Sequence, residues 1–180
     1  ISLGGQYNSA WNLNTSGANG GNISVSAANT VGANSGIFIS DGTVTRAGDI
    51  SILASTGAIN LGYLQANGGS FGGNITVTAP HSTLTVQSAN GNSDSISSTS
   101  LMQSGRVSLN SGANLTVQFG INTSSQLNGG QVDVLITEGN LRIFPGGAAQ
   151  RYIDSRGTGG DGGDISVRIG QSGISSAGYS

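Results

Sequence analysis

The sequence predicts an all-β chain, a right-handed parallel β-helix of about six coils with roughly 25 residues each and loop insertions between them. Three observations lead there. A five-residue phrase recurs along the chain, apolar and polar residues alternate with a period of two around each copy, and glycine, asparagine and serine separate the copies.

The phrase is glycine, polar, aliphatic, usually hydroxyl, aliphatic. It reads Gly21-Asn22-Ile23-Ser24-Val25, Gly48-Asp49-Ile50-Ser51-Ile52, Gly73-Asn74-Ile75-Thr76-Val77, Gly105-Arg106-Val107-Ser108-Leu109, Gly130-Gln131-Val132-Asp133-Val134 and Gly163-Asp164-Ile165-Ser166-Val167. The first aliphatic residue therefore recurs at spacings of 27, 25, 32, 25 and 33, a basic period with occasional additions. A second strand is expected where an aliphatic residue returns eight or nine positions later, at Ile59, Leu84, Leu115, Leu141 and Ile174. In the first repeat Ile37-Phe38-Ile39, at an offset of fourteen from Ile23, fills that role. Val44, Leu64, Ile96, Ile121 and Ile153 are the candidates for a third strand.

Each position has a physical reason. In a strand, alternate side chains leave opposite faces, so Val and Ile point into a core while Ser, Thr, Asn and Asp point out. The glycine ahead of each first strand is expected to supply a turn with positive φ. Strands this short cannot bury their apolar sides alone. Stacking copies at about 4.8 Å per coil buries them in one column, about 29 Å long for six coils. One domain spanning 1–180 is expected: 1–19 as an N-terminal coil or edge, 20–169 as the repeats, and 170–180 as their continuation.

Composition removes several function classes. Only 8% of the 180 residues are charged, the six basic residues are all arginine, and the net charge is −2, which supplies no phosphate-neutralising surface for nucleic acid. Cysteine is absent, so neither a disulfide framework nor a thiolate metal site exists. No apolar run approaches the roughly 20 residues that span a bilayer as a helix, so membrane insertion of that kind is not expected.

GGNISVSA, AGDISILASTGAINLG and GGNITVTAPHSTLTV resemble the haemagglutination-type repeats of secreted bacterial adhesins exported by two-partner secretion. The Asn/Ser/Gly-rich character is similar to filamentous-haemagglutinin-like surface proteins, especially large cyanobacterial ones. The resemblance runs from about Gly20 to Ile169 and implies an extracellular shaft without catalytic residues or cofactors. Its partners would be further coils of a longer chain, a second copy of itself, or cell-surface glycans.

Candidate sites are sparse. Gly159-Gly160-Asp161-Gly162-Gly163-Asp164 matches the glycine-aspartate pattern of calcium-binding β-rolls, making Asp161 and Asp164 the weak metal candidates. The pattern occurs once, however, and Ser166 stands where it requires an apolar residue. Asp154, Asp161 and Asp164 gather with Arg151 and Arg156 near the longest insertion, and a carbohydrate-active β-helix would need such carboxylates to converge across a groove. Otherwise they form a solvated loop. His81, the single histidine, follows Pro80 in a turn and has no partner for acid–base or ligand chemistry. Tyr7, Trp11, Tyr63, Tyr152 and Tyr179 are the aromatics available to stack on sugars. The outward hydroxyl file Ser24, Ser51, Thr76, Ser108, Asp133, Ser166 would suit ice or sugar binding if its neighbour matched it. That neighbour reads Ser26, Leu53, Thr78, Asn110, Leu135, Arg168, which is irregular. The sequons at Asn22, Asn74 and Asn114 follow from the alternation itself. Neither terminal stretch carries the charges, prolines or helix that would block a strand edge, so both ends are expected to meet further coils or another copy.

Overall fold

The first aliphatic residue of each phrase opens a strand, and the second lies two residues into it. The structure, a computed structural model, describes residues 12–87, 94–144 and 152–170, with only the backbone described at 33–35. In chain order the strands are β1 (Asn12–Asn14), β2 (Ile23–Ala27), β3 (Val31–Ile39), β4 (Ile50–Ala54), β5 (Ile59–Gln65), β6 (Ile75–Ala79), β7 (Leu84–Val86) and β8 (Ile96–Ser97). They continue as β9 (Val107–Ser111), β10 (Leu115–Val117), β11 (Gly120–Asn122), β12 (Val132–Ile136), β13 (Leu141–Ile143), β14 (Tyr152–Asp154) and β15 (Ile165–Ile169). No helix occurs among the described residues.

The strands make two parallel sheets of stacked strands. One has six strands in the order β15-β12-β9-β6-β4-β2. Its register places Ile23, Ile50, Ile75, Val107, Val132 and Ile165 in one file, the first aliphatic residue of every phrase. The second sheet has nine strands and carries two files side by side. One joins Val31, Ile59, Leu84, Leu115 and Leu141; the other joins Leu13, Phe38, Leu64, Ile96, Ile121 and Ile153. Each of the five full repeats thus contributes one apolar residue to each file, Phe38 being the aromatic one, and the three files share one core. Ile59, Leu61, Leu64, Ile75, Val77, Leu84, Ile96, Leu115 and Ile121 have no exposed surface. At about 1.5–3 kcal/mol for each fully buried aliphatic side chain, this column is the main stabilising term.

Three expectations are corrected. Val31, not Ile37, begins the second file in the first repeat, because it pairs with Ile59. Ile37-Phe38-Ile39 belongs to the third file, where Phe38 pairs with Leu64 and is fully buried. Val44 is not in that file at all: it lies in the following corner, 63% exposed, where Phe38 has already supplied the inward residue. Ile174 lies outside the described residues.

The third correction concerns the glycines. Among the described residues only Gly139 has a positive φ, 105°. The phrase glycines are needed for a different reason: their backbones stack. A Cβ on Gly73 would lie 2.0 Å from the Gly48 carbonyl oxygen, on Gly105 2.1 Å from that of Gly73, and on Gly130 2.0 Å from that of Gly105. Across the same corner, Gly73 N–H donates to Ala66 O at 2.9 Å, Gly130 N–H to Thr123 O at 2.8 Å, and Gly163 N–H to Ser155 O at 2.7 Å. Buried hydroxyls complete the corner: Ser98 Oγ donates to Gly73 O at 2.7 Å and Thr123 Oγ1 to Gly130 O at 2.8 Å.

The polar position of the phrase has its own task. Asn22 Oδ1 accepts from Asp49 N–H at 2.9 Å, Asp49 Oδ1 from Asn74 N–H at 2.8 Å, and Asn74 Oδ1 from Arg106 N–H at 3.0 Å. Each side chain satisfies a backbone donor of the next repeat, a group that is expensive to leave unpaired.

Variation in repeat length is confined largely to one corner. From the second file to the third is five residues in Ile59 to Leu64, but twelve in Leu84 to Ile96 and in Leu141 to Ile153. The other two connections differ by no more than one or two residues between repeats, so the additions leave all three files in register.

Two substitutions test this packing. Ile75→Asp places a carboxylate in a dry column and abolishes the folded circular dichroism spectrum; a soluble variant with an unchanged spectrum refutes the register. Gly130→Ala, which must displace a backbone oxygen, lowers stability by about 1–3 kcal/mol in thermal or urea unfolding. Gly162→Ala, whose Cβ would meet nothing nearer than 3.6 Å, stays within about 0.5 kcal/mol of wild type.

Candidate functional site

The outer face of the third file holds a hydrogen-bonded set of polar side chains. Inward Leu64, Ile96, Ile121 and Ile153 are flanked by residues pointing the other way: Tyr63, Ser95, Gly120 and Tyr152 on one side, Gln65, Ser97, Asn122 and Asp154 on the other. Strand alternation fixes this orientation, because each flank is one residue from a buried aliphatic.

Hydrogen bonds join these residues across repeats. Tyr63 OH donates to Gln65 Oε1, and Gln65 Nε2 donates to Asp41 Oδ2. Asp41 Oδ1 accepts from Asn67 N–H at 2.8 Å, and Asn67 Oδ1 accepts from Ser97 Oγ and Thr99 N–H, both at 2.8 Å. Further along the stack, Asp94 Oδ1 accepts from Tyr152 OH and Asp94 Oδ2 from Asn122 Nδ2 at 3.1 Å. Asp154 takes Arg156 Nε at 2.9 Å on one oxygen and Arg156 NH2 at 2.6 Å on the other.

The electrostatics follow from burial and neighbours. Burial pushes the Tyr63 hydroxyl up to about 12, with the Asp94 and Asp41 carboxylates adding to the shift, so it stays a neutral donor. Burial also raises Asp94 above the usual carboxylate range; the Asn122 hydrogen bond opposes this and the Asp154 charge adds to it. The Arg156 hydrogen bonds hold Asp154 below its ordinary range against a smaller effect of burial.

The carboxylates grouped by sequence do not converge. Asp154 ends β14 and pairs with Arg156 just beyond it, whereas Asp161 and Asp164 are exposed on the corner that leads to β15. Asp161 N–H donates to Asn128 Oδ1 at 3.2 Å and its carbonyl accepts from Gly129 N–H at 2.9 Å, so its backbone is part of the stacking. Among the described residues no three or more His, Asp or Glu side chains gather as a metal site. His81 is exposed in the turn after β6. Tyr63 is buried at 6% exposure and therefore closed to a stacking ligand, while Tyr152 is half-buried. Tyr7, Trp11, Arg151 and Tyr179 lie outside the described residues. The hydroxyl file from Ser24 to Ser166 is continuous in register, and its neighbour is as irregular as the sequence implies. The sequon residues Asn22, Asn74 and Asn114 all spend their Oδ1 on the next repeat.

Asp41, Asp94, Gln65 and Asn122 escaped the sequence reading. Their signal was positional. Once Phe38, Leu64, Ile96, Ile121 and Ile153 are aligned, each lies within three residues of a third-file core residue; the face emerges only from that alignment.

No protein-family model, curated protein or solved structure matches this chain. Among the described residues no helix is long and apolar enough to cross a membrane.

Calcium is the one ion the sequence raises, and its test is direct. Neither chelator nor added Ca²⁺ is expected to shift the melting temperature, because among the described residues no third carboxylate or histidine joins Asp161 and Asp164 on their exposed corner. A rise of several degrees with Ca²⁺ would restore them as ligands.

Proposed function

We propose that the chain is a right-handed parallel β-solenoid and a non-catalytic, extracellular structural segment: a stretch of an adhesin shaft or the unit of a fibre built by end-to-end stacking. The observation that carries this reading is the unbroken register of the inward files. A chain that repeats one cross-section makes a stiff rod, since every backbone donor and acceptor along a strand is answered by the repeat above or below. Length varies largely at one corner, which allows decoration without bending the rod. The resemblance of its phrases to filamentous-haemagglutinin-like repeats, exported by two-partner secretion, points the same way.

The alternative is a carbohydrate-active or carbohydrate-binding β-helix. A hydrolase needs two carboxyl groups available across a bond. Asp154 is committed to Arg156, and Asp94 to Tyr152 and Asn122, which favours the structural role over an acid–base one.

Growth of the stack is supported by β15. Ile165 and Val167 occupy inward-facing positions, yet are 48% and 41% exposed because no described strand lies beyond them. Such an edge is a template for another strand. Light scattering on the 180-residue chain is expected to show a mass that rises with concentration, ending in fibres. A stable monomer at high concentration counts against end-to-end stacking and against the fibre reading with it.

A further inference from the structure

Most of the exposed apolar side chains lie on one corner. There the chain passes from the third file to the phrase glycines, through 42–46, 68–71, 100–103, 125–128 and 157–161. Isolated bridges stack these segments: Gly42 on Gly68, Arg46 on Phe71, Phe71 on Gln103, Ser100 on Ser125, Gln103 on Asn128 and Ser125 on Gly157. Val44, Phe71, Leu101, Met102 and Leu127, spread over four successive segments, are each at least 40% exposed. The other exposed large apolar residues among those described are Leu135 on β12 and the edge residues Ile165 and Val167.

The two ends of this stripe carry opposite charges. Arg46 leads a file that continues through Phe71, Gln103 and Asn128. Asp161 closes it: Gly129 N–H donates to Asp161 O at 2.9 Å, as Ser104 N–H donates to Asn128 O at 3.1 Å one repeat earlier. Among the described residues Arg46 pairs only with Asp49, at 3.9 Å and with both side chains well exposed, and the Asp161 carboxylate joins no ion pair. Four strand spacings, roughly 19 Å, keep Arg46 and Asp161 of one chain apart.

We propose that this corner is the contact between two copies of the chain lying side by side and antiparallel, with a two-fold axis crossing the 100–103 segment.

Charge and shape select that arrangement. An axis running along the 100–103 segment reverses the stack and keeps each file opposite itself. Arg46 of each copy then faces Asp161 of the other, twice per pair. Val44 meets Gly159 and Gly160, which have no side chains to oppose it, while Leu101 and Met102 meet the same residues of the other copy. Parallel copies related by a two-fold axis would set Arg46 against Arg46 and Asp161 against Asp161. An axis shifted by half a repeat towards Phe71 would leave Arg46 facing Asn128. Asp49 and Asp164 stand three residues beyond Arg46 and Asp161, past the phrase glycines and off the stripe.

Five segments deep and four residues wide, the stripe measures roughly 19 Å by 13 Å, well short of the roughly 800 Å² that each partner of a stable complex buries. A pair of single chains is therefore weak, and covalent trapping is the suitable readout. The chain has no cysteine, so an introduced thiol reports without background. Gln103→Cys, at the axis, is expected to oxidise to a covalent dimer about tenfold faster than Thr76→Cys, which is exposed on the six-stranded sheet. Thr43→Cys and Thr158→Cys, mixed, link to each other faster than either links to itself. Reversing one charge, by Arg46→Asp or Asp161→Arg, slows the Gln103→Cys reaction about threefold or more, and reversing both restores it. Equal rates for Gln103→Cys and Thr76→Cys overturn the proposal, as does a double reversal no faster than the single ones. End-to-end stacking brings the first repeat to the last and cannot join Gln103→Cys to itself. Fibres without rapid trapping of Gln103→Cys sink the lateral pair and leave the fibre reading standing; a trapped dimer without fibres does the reverse.

Discussion

Everything in this protein depends on how closely one backbone can lie on another at the corner before β2, β4, β6, β9, β12 and β15. The glycine carbonyl of one repeat occupies the space that a Cβ would need on the glycine of the next. That contact sets the vertical spacing at this corner, and the strands on either side inherit it. Parallel strands require the same translation between every pair of residues, so a single oversized corner would shift the ladders that follow. The buried hydroxyls of Ser98, Thr123 and Ser155 lock the same corner from inside, each bonded to a phrase-glycine carbonyl.

The core follows from that spacing. Aliphatic residues directly above one another in three files exclude water along the whole stack, and short strands become stable only because each is covered on both sides. The exceptions confirm the physical logic. Ile75 has neighbours above and below and no exposed surface, whereas Ile165, with a neighbour on one side only among the described strands, is half exposed. Outside the core, Asn and Asp side chains repeat the same principle in polar form by answering backbone donors one repeat away.

The polar face of the third file departs from pure repetition. Its carboxylates are few, since only 8% of the chain is charged, and each is held by specific donors: Asp41 and Asp94 by groups from other repeats, Asp154 by Arg156 two residues on. The chain has little charge to spread over its surface. Asp94 cross-links repeats while Asp154 closes on its own repeat, and their electrostatics run in opposite directions: burial dominates one and an arginine the other.

The sequence by itself determined the all-β character, the first file in full, and most of the second and third, because period-two alternation and a recurrent glycine are local signals that survive in one dimension. It also placed glycine before every first strand, but assigned it to a turn conformation when the reason is the neighbouring backbone, which no local pattern contains. Phe38 and Val44 show the same limit. Both are apolar residues near the expected third strand, and only pairing with Leu64 decides that Phe38 enters the core while Val44 stays in solvent. The contacts around Asp94 lay beyond the sequence, although Tyr152 and Asp154 were visible in it as single residues: the partners of Asp94 are 28 and 58 residues away, and insertions of unequal length lie between. Tertiary structure alone decided it, because a carboxyl's neighbours across a stack are set by register, and register is a property of all the repeats together.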